Sequence, residues 1–289
     1  VALVMMLQSV SLPPFPQIIE SPSYEDLDTL VSENKSSYLE LMEIVDKVTF
    51  FLLENALTNT TRFRPIIELY AQDLLNMLRN PLWSFSHYLL ETLISKLFQI
   101  FNPTNPNGAN FEVTALQIVG HITASLSDVK MDLASINHQS NKKQILSDYV
   151  FCLDWLKMYE KSPYVYNVFW NEALHFISTS MKSEEGTDEN SLRQQYLWFV
   201  ERTRNSTLVN SNKDHNPNQL HLNYTKILAE SGLLLLFEPA VKLILSLLDQ
   251  QKVKLKSVAV KCLSQLISRD RQMLETPFVK DTIKVRLSD

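Results

Sequence analysis

Only four glycines, Gly108, Gly120, Gly186 and Gly232, occur along the 289 residues of this chain. Tight hairpins need backbone at positive φ, which glycine supplies most readily, so a chain this poor in glycine is badly equipped for a sheet of many short strands. The same scarcity argues against a phosphate-cradling loop of the Walker or Rossmann type. What does recur is apolar residues at three- and four-residue intervals, in a chain that is 45% hydrophobic, and that spacing predicts amphipathic helices.

Residues 8–23 hold Pro13, Pro14, Pro16 and Pro22 among serines and cannot continue a helix, so residues 1–23 are expected to form an extended arm. Tyr38, Leu41, Met42, Val45, Val48, Leu52 and Leu53 predict a long helix ending near Asn59. Ile66, Ile67, Tyr70, Leu74, Leu75 and Leu78 predict its partner, with Pro65 in the first turn and Pro81 closing it. Residues 82–101 are apolar around most of the wheel, through Trp83, Leu89, Leu90, Leu93, Ile94, Leu97 and Phe101, as a central helix would be.

The stretch NPTNPNGAN at 102–110 is the clearest punctuation. Helices are then expected at 111–126, 142–159, 164–181 and 192–202, with polar loops at 182–190 and 205–218. A last series at 220–230, 233–248, 253–268 and 276–287 has very short connections, which make sequential helices antiparallel neighbours. The organisation expected is an arm at 1–23 and three helical blocks at 24–101, 111–204 and 219–289. About a dozen helices, no alternating strand and no sustained heptad register predict an all-α chain, a HEAT- or armadillo-like α-solenoid of antiparallel helix pairs, with a compact bundle as the alternative.

Candidate chemistry is sparse. Cys152 and Cys262 lie within apolar helical patterns and read as reduced core residues of a nuclear or cytosolic protein. His87, His121, His138, His175, His215 and His221 are scattered without metal-ligand spacing, so no metal and no cofactor are expected. No recognisable nucleophile motif is present, and no catalysis is expected, although an α-helical enzyme with widely separated catalytic residues stays open. Trp83, Trp155, Trp170 and Trp198, with Tyr149, Phe151, Phe169 and Phe199, fit a core better than a base-stacking surface. The apolar run at 1–7 is too short to span a bilayer, and no membrane role is expected. A first residue other than methionine suggests a piece of a longer protein.

Charge is unevenly spread. Residues 252–286 carry nine basic side chains (Lys252, Lys254, Lys256, Lys261, Arg269, Arg271, Lys280, Lys284 and Arg286) and three acidic ones (Asp270, Glu275 and Asp281). That stretch is therefore +6 in a chain of −5, and the remainder is −11. In 253–267 the positions Leu255, Val258, Ala259, Cys262, Leu263, Leu266 and Ile267 form the stripe to be buried, leaving Lys254, Lys256 and Lys261 outside it. Lys280 and Lys284 stand one turn apart on the next helix, which Thr276 and Pro277 can start. With Lys252 and Arg286 these make a candidate surface for the phosphate backbone of DNA, and a solvated helix face is the plain alternative.

Residues 241–289 read VKLILSLLDQQKVKLKSVAVKCLSQLISRDRQMLETPFVKDTIKVRLSD. The helix at 255–267, the charged turn at 269–271, Leu274, Pro277 and the amphipathic helix at 279–289 ending in Arg-Leu-Ser-Asp resemble the Nipped-B (adherin) family, the large HEAT-repeat subunit of the cohesin loader. ALQIVGHITASL at 115–126 and YVFCLDWLKMY at 149–159 resemble two earlier helices of that family, in the same order. Ser127, Asp128 and Lys130 depart from it, because members are often basic at that turn. The resemblance implies a non-catalytic scaffold that engages the cohesin ring (its SMC heads and kleisin) together with double-stranded DNA, stimulates the ATPase of cohesin's own heads, and works in the nucleus on chromatin. It also implies a smaller loader subunit bound through a region not identified in these residues. A generic HEAT or armadillo scaffold that binds peptides is the alternative.

Overall fold

The computed structural model describes residues 24–83, 85–102, 111–136, 139, 141–159, 163–181, 189–205 and 217–288, so the arm expected at 1–23 lies outside the described residues. Among the described residues there are twelve α-helices and no strand. They are α1 (Tyr24–Thr58), α2 (Thr60–Met77), α3 (Ser86–Ile100), α4 (Glu112–Ser135), α5 (Lys142–Tyr159), α6 (Pro163–Phe176), α7 (Glu189–Asn205), α8 (Pro217–Ala229), α9 (Gly232–Leu235), α10 (Phe237–Ser246), α11 (Val253–Arg269) and α12 (Pro277–Ser288). The all-α reading therefore holds.

Proline explains where helices depart from the periodic pattern. The stripe at 233–248 predicts one helix, but the chain breaks at Leu236 between α9 and α10. A proline ring clashes with the carbonyl four residues earlier, and for Pro239 that is Leu235, so the helix must restart just before it. Pro65 is not in a first turn: α2 begins at Thr60 and carries Pro65 inside, on an exposed side where the lost hydrogen bond faces water. Pro277 does occupy the first position of α12, where its missing N–H matters least.

The chain divides into two compact units, each assembled from three stretches. The first contains the described residues of Val1–Val45, Met77–Ser86 and Gln139–Ile227. Its core is aromatic. Tyr149 of α5 meets Phe169 and Phe176 at ring distances of 5.2 and 5.6 Å, Phe169 meets Tyr224 of α8 at 5.9 Å, and Trp170 meets Phe199 of α7 at 6.1 Å. The Tyr196 hydroxyl reaches the Leu174 carbonyl at 3.5 Å, so with Trp170 against Phe199 the two contacts run in opposite order along α6 and α7, which makes them antiparallel. Burial pushes the Tyr196 hydroxyl up to about 12. Polar side chains also enter this core, where Lys226 stands 3.8 Å from Asp148 and the Tyr149 hydroxyl donates to Glu172 at 3.4 Å, while at its edge the exposed Lys157 donates to the Thr203 carbonyl.

The second unit contains Asp46–Asn76 and the described residues of His87–His138 and Leu228–Asp289. Thr49 of α1 lies beside the Tyr70 hydroxyl of α2, two residues almost equally far from the one-residue turn at Asn59, as an antiparallel hairpin requires. In α3, Leu89, Leu90, Leu93, Ile94 and Leu97 are all fully buried, which fits the central helix expected from its wheel. His87, also buried, lies tilted against the Tyr88 ring at 3.9 Å. Of the aromatic residues assigned to cores, Tyr149, Phe169, Trp170 and Phe199 are buried, whereas Trp198 in the first unit is 42% exposed and corrects that assignment.

Candidate functional site

The basic C-terminal stretch is held by α4. Lys252 Nζ, just before α11, donates to both carboxylate oxygens of Glu112 at the start of α4, at 2.9 and 2.7 Å. Seventeen positions on, Arg269 at the end of α11 donates to Asp128 of α4 at 2.6 Å. Between them the Cys262 thiol lies against Gly120 and points to the Leu116 carbonyl, 3.7 Å away. Partners on both helices rise in number together, so α11 runs parallel to α4 over about 24 Å at 1.5 Å per residue. Lys130, near the other end of α4, sits over the Phe237 ring at 4.3 Å, which puts the start of α10 beside the end of α4. The α10 and α11 helices thus form an antiparallel pair laid on α4.

Close approach at the middle of this contact depends on the lack of a side chain at Gly120. A Cβ there would overlap the Cys262 sulfur and stand 3.0 Å from its Cβ. Alanine improves helix propensity by about 1 kcal/mol, but overpacking of a rigid helix contact costs about 1–3 kcal/mol. Gly120→Ala is therefore expected to destabilise the protein by up to about 2 kcal/mol. The exchange Gly120→Ala with Cys262→Gly removes the overlap, and chemical denaturation should show favourable coupling of at least about 1 kcal/mol between the two changes. Simple additivity would show that the contact is not tight. Burial pushes the Cys262 thiol up to about 11, and burial likewise raises that of Cys152, so neither has the character of a nucleophile. Both are free thiols.

The seven cations predicted as a surface take different places. Lys254, Lys256 and Lys261 are exposed on α11 and have no ion-pair partner among the described residues. At about 100° per residue, Lys254 and Lys261 share one edge of the outer face of α11, and Lys256 stands on the other edge. Between these edges lie Ser257 and Ser264 with Val253 and Val260, which are 80% and 51% exposed. Lys252 is engaged by Glu112. On α12, Lys280 is exposed, 3.7 Å from the still more exposed Glu275, and such surface pairs contribute only about 0–1 kcal/mol. Lys284 is exposed as well, and the side chain of Arg286 lies outside the described residues.

The turn expected after a helix ending at 126 is absent: α4 runs on to Ser135, so Asp128, where a basic residue was expected, lies inside the helix and receives Arg269. Two concavities of the second unit were not legible in the sequence. One, about 660 Å³, lies between α2 and α4 and is lined by Arg64, Leu69, Gln72, Gln117, Ile118 and His121 among others. The other, about 350 Å³, is lined by Lys130, Phe237, Glu238, Asp270, Met273 and Phe278 among others. Each joins residues more than forty positions apart, so no local motif could announce it. No cluster of His, Cys, Asp and Glu suited to a metal occurs among the described residues.

Comparison with known proteins places these helices in a family context. Residues 261–289 match the family described as HEAT repeat associated with sister chromatid cohesion. The chain is 28% identical to the Saccharomyces cerevisiae "Sister chromatid cohesion protein 2" over 99% of its own length and 20% of that protein's. It superposes on the Chaetomium thermophilum cohesin loader SCC2, C-terminal fragment, with a TM-score of 0.75 and 17% identity, covering 99% of this chain and 24% of the other. The chain thus spans about a quarter or less of each relative. The resemblance to the Nipped-B family, first carried by residues 241–289, extends over nearly the whole chain, and the expected HEAT-type α-solenoid class is borne out.

Proposed function

We propose that this chain, a segment akin to the large HEAT-repeat subunit of the cohesin loader, is a non-catalytic scaffold that brings double-stranded DNA and cohesin together. It serves sister chromatid cohesion in the nucleus, on chromatin, and it stimulates the ATPase of cohesin's own heads. The observation that carries this reading is the outer face of α11, where Lys254, Lys256 and Lys261 are exposed with no ion-pair partner among the described residues. Lysine is a mobile point charge that suits phosphate without reading bases, so this face would hold duplex by its backbone. Lys280 and Lys284 on α12 extend it, and Lys252 anchors α11 to α4 at its edge.

Cohesin would be engaged through its SMC heads and kleisin, and the bond-breaking chemistry would remain in those heads. The test is the ATPase rate of the cohesin ring with DNA present, measured with and without this chain. Stimulation that depends on duplex supports the reading. A rate unchanged by the chain would favour a peptide-binding scaffold instead, a use to which the 660 Å³ groove between α2 and α4 is suited.

A further inference from the structure

Ser257 and Ser264, on the lysine face, differ from the hydroxyls on the turns around them. Ser246, Ser268 and Thr282 each turn their hydroxyls back onto a carbonyl three or four residues earlier, at 2.8 Å in every case. Ser257 is exposed and makes no such bond among the described residues. Lys254 and Lys261 stand three residues before it and four after it, the two spacings at which side chains on a helix are neighbours. Ser264 is also exposed, but it has Lys261 alone within that reach. From these placements we infer that Ser257 is a phosphorylation site that switches off the hold of α11 on DNA.

The residues preceding Ser257 are Lys254 at the third position back and Lys256 directly before it, an arrangement that a protein kinase selecting basic residues N-terminal to its target would accept. The start of α11 is also weakly closed, because its N-cap is Lys252, whose side chain makes no capping hydrogen bond. In the transfer, the Ser257 Oγ attacks the γ-phosphorus of ATP, the bond to the β-phosphate oxygen breaks, ADP leaves and the hydroxyl proton goes to the base of the kinase. The new group adds about −1.5 to −2 charges with three acceptor oxygens between two lysines, so a face of three cations keeps about one. Ammonium groups bonded to an internal phosphate are no longer available to displace counterions from DNA.

This inference rests on the proposed DNA reading, and its test separates the two. The full chain is incubated with the catalytic subunit of a basophilic kinase and MgATP, and the modified residue is mapped by mass spectrometry against Ser257→Ala. In parallel, phosphoserine is installed genetically at Ser257, or at Ser246 as a control. Affinity for a 30-base-pair duplex is then followed over a range of salt concentrations. Phosphoserine at Ser257 is expected to weaken binding by roughly 10- to 100-fold at about 0.1 M salt and to lower the log–log salt slope by about 2. The Ser246 form should bind as the unmodified chain does. Kinase labelling elsewhere but not at Ser257 overturns the site, and unchanged affinity with phosphoserine at Ser257 overturns the switch. If the unmodified chain shows no salt-dependent affinity, the DNA reading and the switch fall together, whereas mapped labelling at Ser257 would still uphold the site.

Discussion

Replacing Trp170 by alanine is expected to lower stability by about 3–5 kcal/mol, the usual range for emptying a fully buried large aromatic position. Trp170 is 2% exposed in the first unit and packs on Phe199, while Phe169 beside it joins Tyr149 and Tyr224. Its removal therefore leaves a cavity in an aromatic core whose rigid neighbours cannot collapse into it. Trp198, 42% exposed on α7, provides the internal comparison, and its replacement should change stability by less than about 1 kcal/mol. Urea unfolding of the two variants, with hydrogen exchange on α6 and α7, checks the contrast. Similar losses for both would mean that Trp198 is covered in solution.

Reversing the charge of the α11 face should have the largest effect on binding. With Lys254, Lys256 and Lys261 all changed to glutamate, duplex affinity is expected to fall by roughly two to three orders of magnitude at about 0.1 M salt. The log–log salt slope should drop by about 3, near 0.9 for each lost phosphate contact. All three side chains are exposed and unpaired among the described residues, so stability should move by no more than about 0.5 kcal/mol per position. Lys252→Glu belongs to another class, because it sets two carboxylates against each other at Glu112 and would loosen the seat of α11 on α4. Anisotropy titrations across a salt series, with thermal unfolding of the same samples, distinguish these effects. An unchanged slope in the triple variant would remove α11 from the DNA reading.

Much of the helical architecture was legible before any coordinates, and the residues show why. The stripe of Leu255, Val258, Ala259, Cys262, Leu263 and Leu266 is buried as its spacing required, and Lys254, Lys256 and Lys261 are exposed as the same spacing required. Periodicity reads one helix face at a time, so it finds the face but misses events along the axis. The break before Pro239 and the internal position of Pro65 are such events, since an apolar stripe can continue across a backbone interruption. Trp198 was misassigned for a related reason: helical spacing beside Phe199 does not say which of two adjacent aromatic residues points inward.

By itself, the sequence determined the all-α class, the residues of most buried stripes and the concentration of positive charge in residues 252–286. These properties are local, arising from 3.6-residue periodicity, scarce glycine and charge counted along a short stretch. Only the tertiary structure decided which cations were engaged and which remained available. Lys252 and Arg269 find Glu112 and Asp128 about 140 residues away. Gly120 was an ordinary helical residue until Cys262 came to lie against it. Such pairings depend on how α11 is laid on α4, and that placement comes from the burial of two apolar faces far apart in the chain, a choice no local spacing encodes.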